Sequence, residues 1–387
     1  MPVVDIGRLR KRLLLGQQLT GIDRVTLEYL GWAQSRGHRC CVKVGRHLRV
    51  LPRDQAEVIL QQATSQWSPD SQLSKLPPWR LRLADTLLGL RNERVRDALV
   101  INTSQSWLQE AAVWQGLETD GNRVVCFVHD LIPITHPQYN REHARPLHEA
   151  RLRMALGHAA GVIVNSRHTL ETLGSWAKGE GAGLPPTVVL PLGVSDPVRP
   201  ASPTQATEPS FVVLGTIEPR KNHLLLLRIW KRLVETGCTP MPRLVIVGKI
   251  GWDADPVTEF LANCAQVAPF VELRSSASDQ AVRALLARAT ALLFPSFAEG
   301  YGLPLVEALA CGTPVIASPL PAFREIAGEV PDYVDPDDEA GWEARIRGFL
   351  NDETGLLRAA RARLTDYHPP DWNRHFADLE AFLEGLG

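Results

Sequence analysis

The chain has 387 residues, 42 Lys and Arg against 43 Asp and Glu, a formal charge of −1 and a hydrophobic content of 44%. That length exceeds one ordinary core and suits two α/β domains of under about 200 residues each, and the composition is that of a soluble globular protein, which excludes a disordered or fibrous chain. The near-zero charge hides an asymmetry: residues 1–199 carry 25 basic and 18 acidic side chains, a net of +7, and residues 200–387 carry 17 and 25, a net of −8.

Along the chain, Arg8, Arg10, Lys11 and Arg12 come first, beside Leu9, Leu13, Leu14 and Leu15. Two readings stand for this segment: contact with an anionic membrane face that presents a lipid-linked acceptor, or solvated arginines that tether the two halves electrostatically. The basic residues are not interleaved with aromatics in any nucleic-acid module, so no nucleic-acid partner is expected. Thr20-Gly21 marks a helix mouth, either an ordinary N-terminal turn or a place where missing side-chain bulk admits a diphosphate or an acceptor. Val25, Tyr29, Leu30 and Ala33 share one face of a helix over about Arg24 to Gln34, and Cys40–Val44 reads as a short strand. The Ser-, Pro- and Gln-rich stretch Ser65 to Pro78 predicts a loop.

Val100-Ile101-Asn102, Arg123–Asp130 and Gly161–Ser166 read as buried strands ending at polar groups, which one parallel sheet explains. His129 at such a strand end is either a packing residue or a site residue, and Asp130 either a site residue or a cap for the next turn. Val188–Val194 follows, and Pro197 to Pro209 reads as an interdomain linker. The second half repeats strand and helix at Phe211–Leu214, Arg243–Gly248, Phe270–Leu273, Ala291–Phe294 and Pro314–Ser318, as a second doubly wound sheet would. Trp372 to Leu386 has helical spacing.

Two loops of this second half carry chemistry. Gly215-Thr216-Ile217-Glu218-Pro219-Arg220-Lys221-Asn222-His223 sets a guanidinium fork beside a point charge, able to neutralise a diphosphate or to be plain solvated surface. About 80 residues on, Glu299-Gly300-Tyr301-Gly302-Leu303 leads to Glu307, with Glu299 in a loop and Glu307 on a first helical turn. A glycine-preceded helix start suits phosphate, and carboxylates there suit sugar hydroxyls. Otherwise Glu307 merely complements the helix dipole and Glu299 is a solvated acid. At strand-loop-helix positions of one α/β pattern, the two loops would meet at the carboxyl edge of a single sheet.

Together with Thr20-Gly21-Ile22-Asp23-Arg24-Val25 and His129-Asp130-Leu131-Ile132-Pro133, these loops resemble the retaining glycosyltransferases of family 4 over nearly the whole chain. The resemblance implies the GT-B fold, two Rossmann-like doubly wound parallel-sheet domains facing across a cleft. The expected organisation is an acceptor-binding domain over 1–196, a linker at 197–209, a nucleotide-sugar domain over 210–370, and a helix at 371–387 crossing back to the first domain. It implies that Glu299 contacts donor-sugar hydroxyls, Glu307 the ribose and Lys221 the diphosphate. Many members have an arginine where this chain has Thr216, and Arg220 is expected to supply that second charge. His129 is implied to line the donor-sugar pocket, its carbonyl facing the anomeric centre.

The expected catalytic set is then His129, Arg220, Lys221 and Glu299. Gly21, Gly215, Thr216, Gly300, Tyr301, Gly302, Leu303 and Glu307 join Arg220, Lys221 and Glu299 on the donor, and Thr20, Gly21, Arg24, His129 and Asp130 take the acceptor. The resemblance is to bacterial polysaccharide and O-antigen mannosyl- or rhamnosyltransferases, which makes GDP-mannose the first-choice donor and a glycan on a polyprenyl diphosphate the acceptor. A nucleotide-sugar epimerase, a non-catalytic sugar-nucleotide-binding subunit and a glycan phosphorylase are the competing readings. Asp253-Ala254-Asp255 and Asp335-Pro336-Asp337 spell D-x-D inside turns, where aspartate serves local hydrogen bonding, so no metal and no cofactor are expected. Six cysteines form no C-x-x-C pair, so neither zinc nor disulfides are expected. With no signal-peptide core and no apolar run near 18 residues, the expected setting is the cytoplasm, or the inner face of the plasma membrane as a peripheral protein.

Overall fold

Two short valine-rich strands, one at the start of each half, organise everything around them. The computed structural model describes residues 1–65, 92–194, 208–352 and 354–386. The chain divides into a first unit of Met1–Leu192 with Trp372–Gly387 and a second of Gly193–Asp371. Apart from Ser65, Glu208 and Pro209, the loop expected at Ser65–Pro78 and the linker expected at 197–209 lie outside the described residues.

The first unit holds a seven-stranded sheet: β1 (Pro2–Asp5), β2 (Arg39–Val44), β3 (His47–Leu51), β4 (Leu99–Asn102), β5 (Arg123–Val128), β6 (Gly161–Val164) and β7 (Thr187–Val189), in the order β3-β2-β1-β4-β5-β6-β7. Every pairing is parallel except the β2/β3 hairpin at one edge. The second unit holds β8 (Ser210–Leu214), β9 (Arg243–Val247), β10 (Val271–Arg274), β11 (Ala291–Phe294), β12 (Val315–Ala317) and β13 (Asp332–Tyr333), in the order β10-β9-β8-β11-β12-β13, all parallel. Central strands such as Val124–Val128, Gly161–Val164 and Ala291–Phe294 are buried throughout, which is why they read as continuous apolar runs and not as alternation. Helices cover the faces. Trp107 and Trp114 pack edge-to-face, 5.9 Å apart, in the core of the first unit, and Trp230 and Trp342 fill that of the second.

This strand order fixes where each sheet opens. The chain passes from β1 to β2 on one side and later places β4 on the other, and in the same way β8 is flanked by β9 and β11. Connections on opposite sides of neighbouring strands leave a crevice outside their carboxyl ends, the usual ligand position in an open α/β sheet. The crevices lie at β1/β4 and at β8/β11.

At the first of these, Asp5 ends β1 fully buried. Its carboxylate accepts the Gly7 N–H at 2.9 Å, the Asn102 amide at 3.1 Å and the Trp107 indole N–H at 2.6 Å. It thereby ties the ends of β1 and β4 to the loop that follows β4. Burial raises its pKa against the lowering effect of those hydrogen bonds.

The helix Trp372–Gly385 belongs to the first unit. His375 Nδ1 lies 2.8 Å from the Pro191 carbonyl, which can only accept, so Nδ1 carries the proton. Burial lowers the His375 pKa to about 4, and the neutral ring then accepts the Tyr29 hydroxyl at Nε2, 2.9 Å away. Phe376 stacks on Trp32, whose indole N–H reaches Glu380 at 2.9 Å. Among the described residues no helix is long and apolar enough to cross a membrane.

Replacing Asp5 by Ala would strand three buried donors. The unfolding free energy in a urea titration followed by tryptophan fluorescence is expected to fall by about 3 kcal/mol. A loss below about 0.5 kcal/mol would show that the carboxylate does not hold the strand ends together.

Candidate functional site

The β8/β11 crevice gathers the two chemistry-bearing loops of the second unit. After β8 the chain runs through Gly215 and Thr216 and turns in a short 3-10 segment, Pro219–Lys221. Asn222, in the left-handed region at φ 55°, then starts the helix His223–Glu235. Asparagine tolerates that conformation better than most residues, and its side chain donates to the Pro336 carbonyl at 2.9 Å. Gly248, after β9, allows the close pass of this loop: a β-carbon there would stand 1.8 Å from the Gly215 oxygen. The two loops zip together through Gly215 N–H to Val247, Ile217 N–H to Lys249 and Gly251 N–H to Ile217.

Glu299, in the loop after β11, meets this segment. One carboxylate oxygen takes the Lys221 amine and the other lies 2.8 Å from the Arg220 guanidinium. Arg220 also donates to the Ala298 carbonyl and to Glu218, at 2.5 and 2.6 Å, while the Phe297 N–H returns to the Arg220 carbonyl. The Lys221 amine sits 4.7 Å above the centre of the Phe294 ring, and Gly215 lies against its side chain. Lys221 and Glu299 side chains are each only 9% exposed, so this is a desolvated ion cluster.

Its titration follows from that. Burial alone would raise the Glu299 carboxyl, but the charges of Arg220 and Lys221 and the lysine hydrogen bond outweigh it and hold the pKa at about 2. Lys221 is lowered by burial, against the opposing pull of Glu299. His223, buried beside it, is lowered to about 4 by burial and by the Lys221 charge, and stays neutral. A neutral neighbour leaves the two cations as the positive charges facing the crevice from this loop.

Gly302 starts the helix Leu303–Ala310 at φ 110°, and a β-carbon there would meet the Phe323 ring at 2.5 Å. Gly300 and Leu303 are half-buried and Tyr301 is buried. Because that helix begins at Leu303, Glu307 is its fifth residue and lies on the second turn, not the first as the sequence suggests. It is therefore too far along to complement the helix dipole at the first turn. Its charge reaches Cys311, whose thiol is pushed to about 11 by burial first and by Glu307 second. Asp335 of the second D-x-D accepts the Asp337 N–H at 2.9 Å, a local turn.

The other expected residues stand at the carboxyl edge of the first sheet. Thr20 caps the helix Gly21–Ser35, with Gly21 exposed as its first residue. Asp23, fully buried, accepts the Thr20 N–H at 2.7 Å and its hydroxyl at 2.6 Å. Arg24 is half-buried on the same turn. His129 follows β5, stacked on Phe127 at 4.3 Å. Its Nε2 donates to the Thr103 carbonyl at 2.7 Å, and burial lowers its pKa. The neutral ring therefore carries its lone pair at Nδ1. The His129 carbonyl accepts the Asn165 amide at 2.9 Å, and Thr169 fixes that amide from its oxygen side. Asp130 turns its side chain to the Ile132 N–H at 3.0 Å, which is the turn-capping reading of that residue. Of the basic N-terminal segment, Leu9 and Leu13 are buried and Arg8 and Arg12 flank Asp23 at 3.0 Å each.

Two groups escaped the sequence reading. Asp23 lay inside a quoted phrase with no role, and only its burial between two arginines reveals one. Asn165 ends a strand at a polar group, a signal that marks position but not the carbonyl it serves.

The paired sheets with their carboxyl-edge sites define a GT-B-type fold. The crystal structure of Anabaena HepE in complex with UDP-glucose matches it with a TM-score of 0.69 at 15% identity, over 99% of each chain. Residues 195–368 match the family described as Glycosyl transferases group 1. Residues 195–368 thus resemble a group 1 glycosyl transferase domain, within a chain whose fold is of the GT-B type. The serotype-specific mannosyltransferase WbdA of Escherichia coli is 32% identical over 221 residues, covering 53% of this chain and 27% of that protein. The phosphatidyl-myo-inositol mannosyltransferase of Mycolicibacterium smegmatis is 29% identical over 236 residues, 59% of this chain and 56% of that one. The chain thus spans about a quarter of the length of the first relative and just over half of the second.

A carboxyl titrating at about 2 when folded and near its ordinary value of 4.5 when unfolded contributes stability that is complete above the unfolded value and is lost as pH falls through the folded one. The stability difference between the natural protein and Glu299→Gln, measured by denaturant unfolding, should therefore be constant above about pH 5.5 and shrink between about pH 4.5 and 2. A difference that does not change over that range would mean that Glu299 is not ion-paired in solution.

Proposed function

We propose that this protein is a retaining hexosyltransferase of family 4 that moves mannose from GDP-mannose to a hydroxyl of a growing cell-surface glycan, without a metal. The observation that carries this reading is the convergence of Lys221, Arg220 and Glu299 at the β8/β11 crevice of a group 1 domain. The names of the relatives support mannose as the sugar.

In the proposed reaction the bond from the anomeric carbon to the β-phosphate oxygen breaks through an oxocarbenium-like state. The acceptor oxygen attacks from the face the phosphate leaves, and its proton passes to the departing phosphate oxygen, so the anomeric configuration is kept. Lys221 and Arg220 stabilise the charge that grows on the diphosphate, the kind of fixed electrostatic assistance that gains most in a desolvated site. Glu299 accepts hydroxyl hydrogens of the sugar, Glu307 binds the ribose, and the Nδ1 lone pair of His129 accepts a further hydroxyl. Asn165 holds the His129 carbonyl in place.

A screen of nucleotide sugars with the purified protein, read by mass spectrometry for transfer and hydrolysis, tests the reading. GDP-mannose is expected to give the largest turnover, and a clear preference for another sugar would overturn the donor. Lys221→Ala should lower kcat by about 10²-fold or more. A kcat within about threefold of the natural enzyme would remove Lys221 from transition-state stabilisation.

A further inference from the structure

Three arginines gather at the β1/β4 crevice of the first unit, and only two of them have a carboxylate partner among the described residues. Arg8 stands three residues beyond the end of β1. Its Nε lies 3.0 Å from one oxygen of Asp23, and the Arg12 Nε lies 3.0 Å from the other. The same carboxylate also takes two hydrogen bonds from Thr20, so its capacity is spent on a helix start and two guanidinium groups. Arg8 and Arg12 are four residues apart on one helix, where like charges repel.

A third cation comes from the helix Ala144–His158. Arg151 donates from Nε to the neutral amide oxygen of Gln109 at 3.1 Å, in the loop that follows β4. Among the described residues no carboxylate is paired with it, and the charge that reaches it is that of Arg8, which together with burial lowers its pKa. Of the other acids at this edge, Asp5 is committed to the neutral donors of Gly7, Asn102 and Trp107, and Asp130 is turned to the Ile132 N–H. Two guanidinium groups thus share one carboxylate and a third has an amide oxygen in its place, all partly withdrawn from water where the strand order of the sheet reverses.

We propose that Arg8 and Arg151 form a subsite for a phosphate group carried by the acceptor, at the β1/β4 crevice beside the chain segment that bears His129. A guanidinium fork matches phosphate oxygens in pairs and stays charged when half-buried. A phosphate would give Arg151 an anionic partner in place of the amide oxygen, and the donor diphosphate has cations of its own in Lys221 and Arg220. The assignment of the phosphate to the acceptor rests on the glycosyltransferase reading, whereas the anion subsite does not.

Arg151 is the residue to change, because Arg8 also holds the buried Asp23. With the full chain, isothermal titration with mannose 6-phosphate, against mannose as the neutral control, is expected to show binding that needs the phosphate. Arg151→Gln should weaken it at least about tenfold, the loss of one charge-assisted contact, and Arg151→Lys should recover part. Equal binding by all three proteins would overturn the subsite.

A kinetic comparison assigns the anion. The ratio of kcat/KM for a lipid-diphosphate-linked mannose acceptor to that for octyl mannoside should fall about tenfold or more in Arg151→Gln. If instead KM for the nucleotide sugar rises equally with both acceptors, the phosphate bound is the donor's and the acceptor assignment falls. If no nucleotide sugar is turned over while mannose 6-phosphate binding still depends on Arg151, the transferase reading fails and the anion subsite stands.

Discussion

The second unit is arranged around a single carboxylate that cannot be spared. Bringing an ammonium and a guanidinium out of water at the end of β8 costs several kcal/mol for each ion unless an opposite charge follows them. Glu299 is that charge, delivered from a loop 78 residues away in sequence. Its two oxygens divide between Lys221 and Arg220, and the Phe297 N–H closes the same two loops through the backbone. The two loops are thus fixed against each other by charge and by backbone. Under the proposed function, an anion would take over the role of Glu299 toward the cations and leave that carboxylate for hydroxyl groups.

The first unit solves a related problem differently. There the buried acid, Asp23, starts a helix and spans two arginines, while Asp5 pins the adjoining strand ends with neutral donors. Each crevice thus sets a pair of cations against the two oxygens of one carboxylate, Glu299 in the second unit and Asp23 in the first, although the sequence around them shares no repeat. The likeness comes from strand order, which places loops at the same edge in each sheet, and from the chemistry of holding positive charge in a partly dry place.

Much of this was legible from residues alone. Buried parallel strands such as Val124–Val128 and Leu244–Val247 announce themselves, because both faces must be apolar. β1 did not, since Pro2-Val3-Val4-Asp5 is too short to stand out, although it lies inside its sheet between β2 and β4. β3 escaped because an edge hairpin strand such as His47–Leu51 is only partly buried and carries polar groups. The helix Arg53–Ser65 passed unread beside the low-complexity stretch that follows it. At the site, loop chemistry singled out Arg220, Lys221 and Glu299, but spacing carries no information about which oxygen faces which nitrogen. The turn on which Glu307 falls was misread because Gly302, not Pro304, sets the helix start. In the basic N-terminal segment the charges were visible, whereas the buried aspartate that pairs with Arg8 and Arg12 comes from the next helix.

One arrangement has a bearing on how the chain is made. Tyr29 and Trp32 find aromatic neighbours in Trp372–Gly385, although the 179 residues of Gly193–Asp371 separate that helix from Leu192. A ribosome releasing the chain in order would finish the second unit first, while the earlier-synthesised unit waits with a raw aromatic surface. The order of synthesis and the order of completion are thus reversed, and in the interval that surface is a natural place for a chaperone to hold.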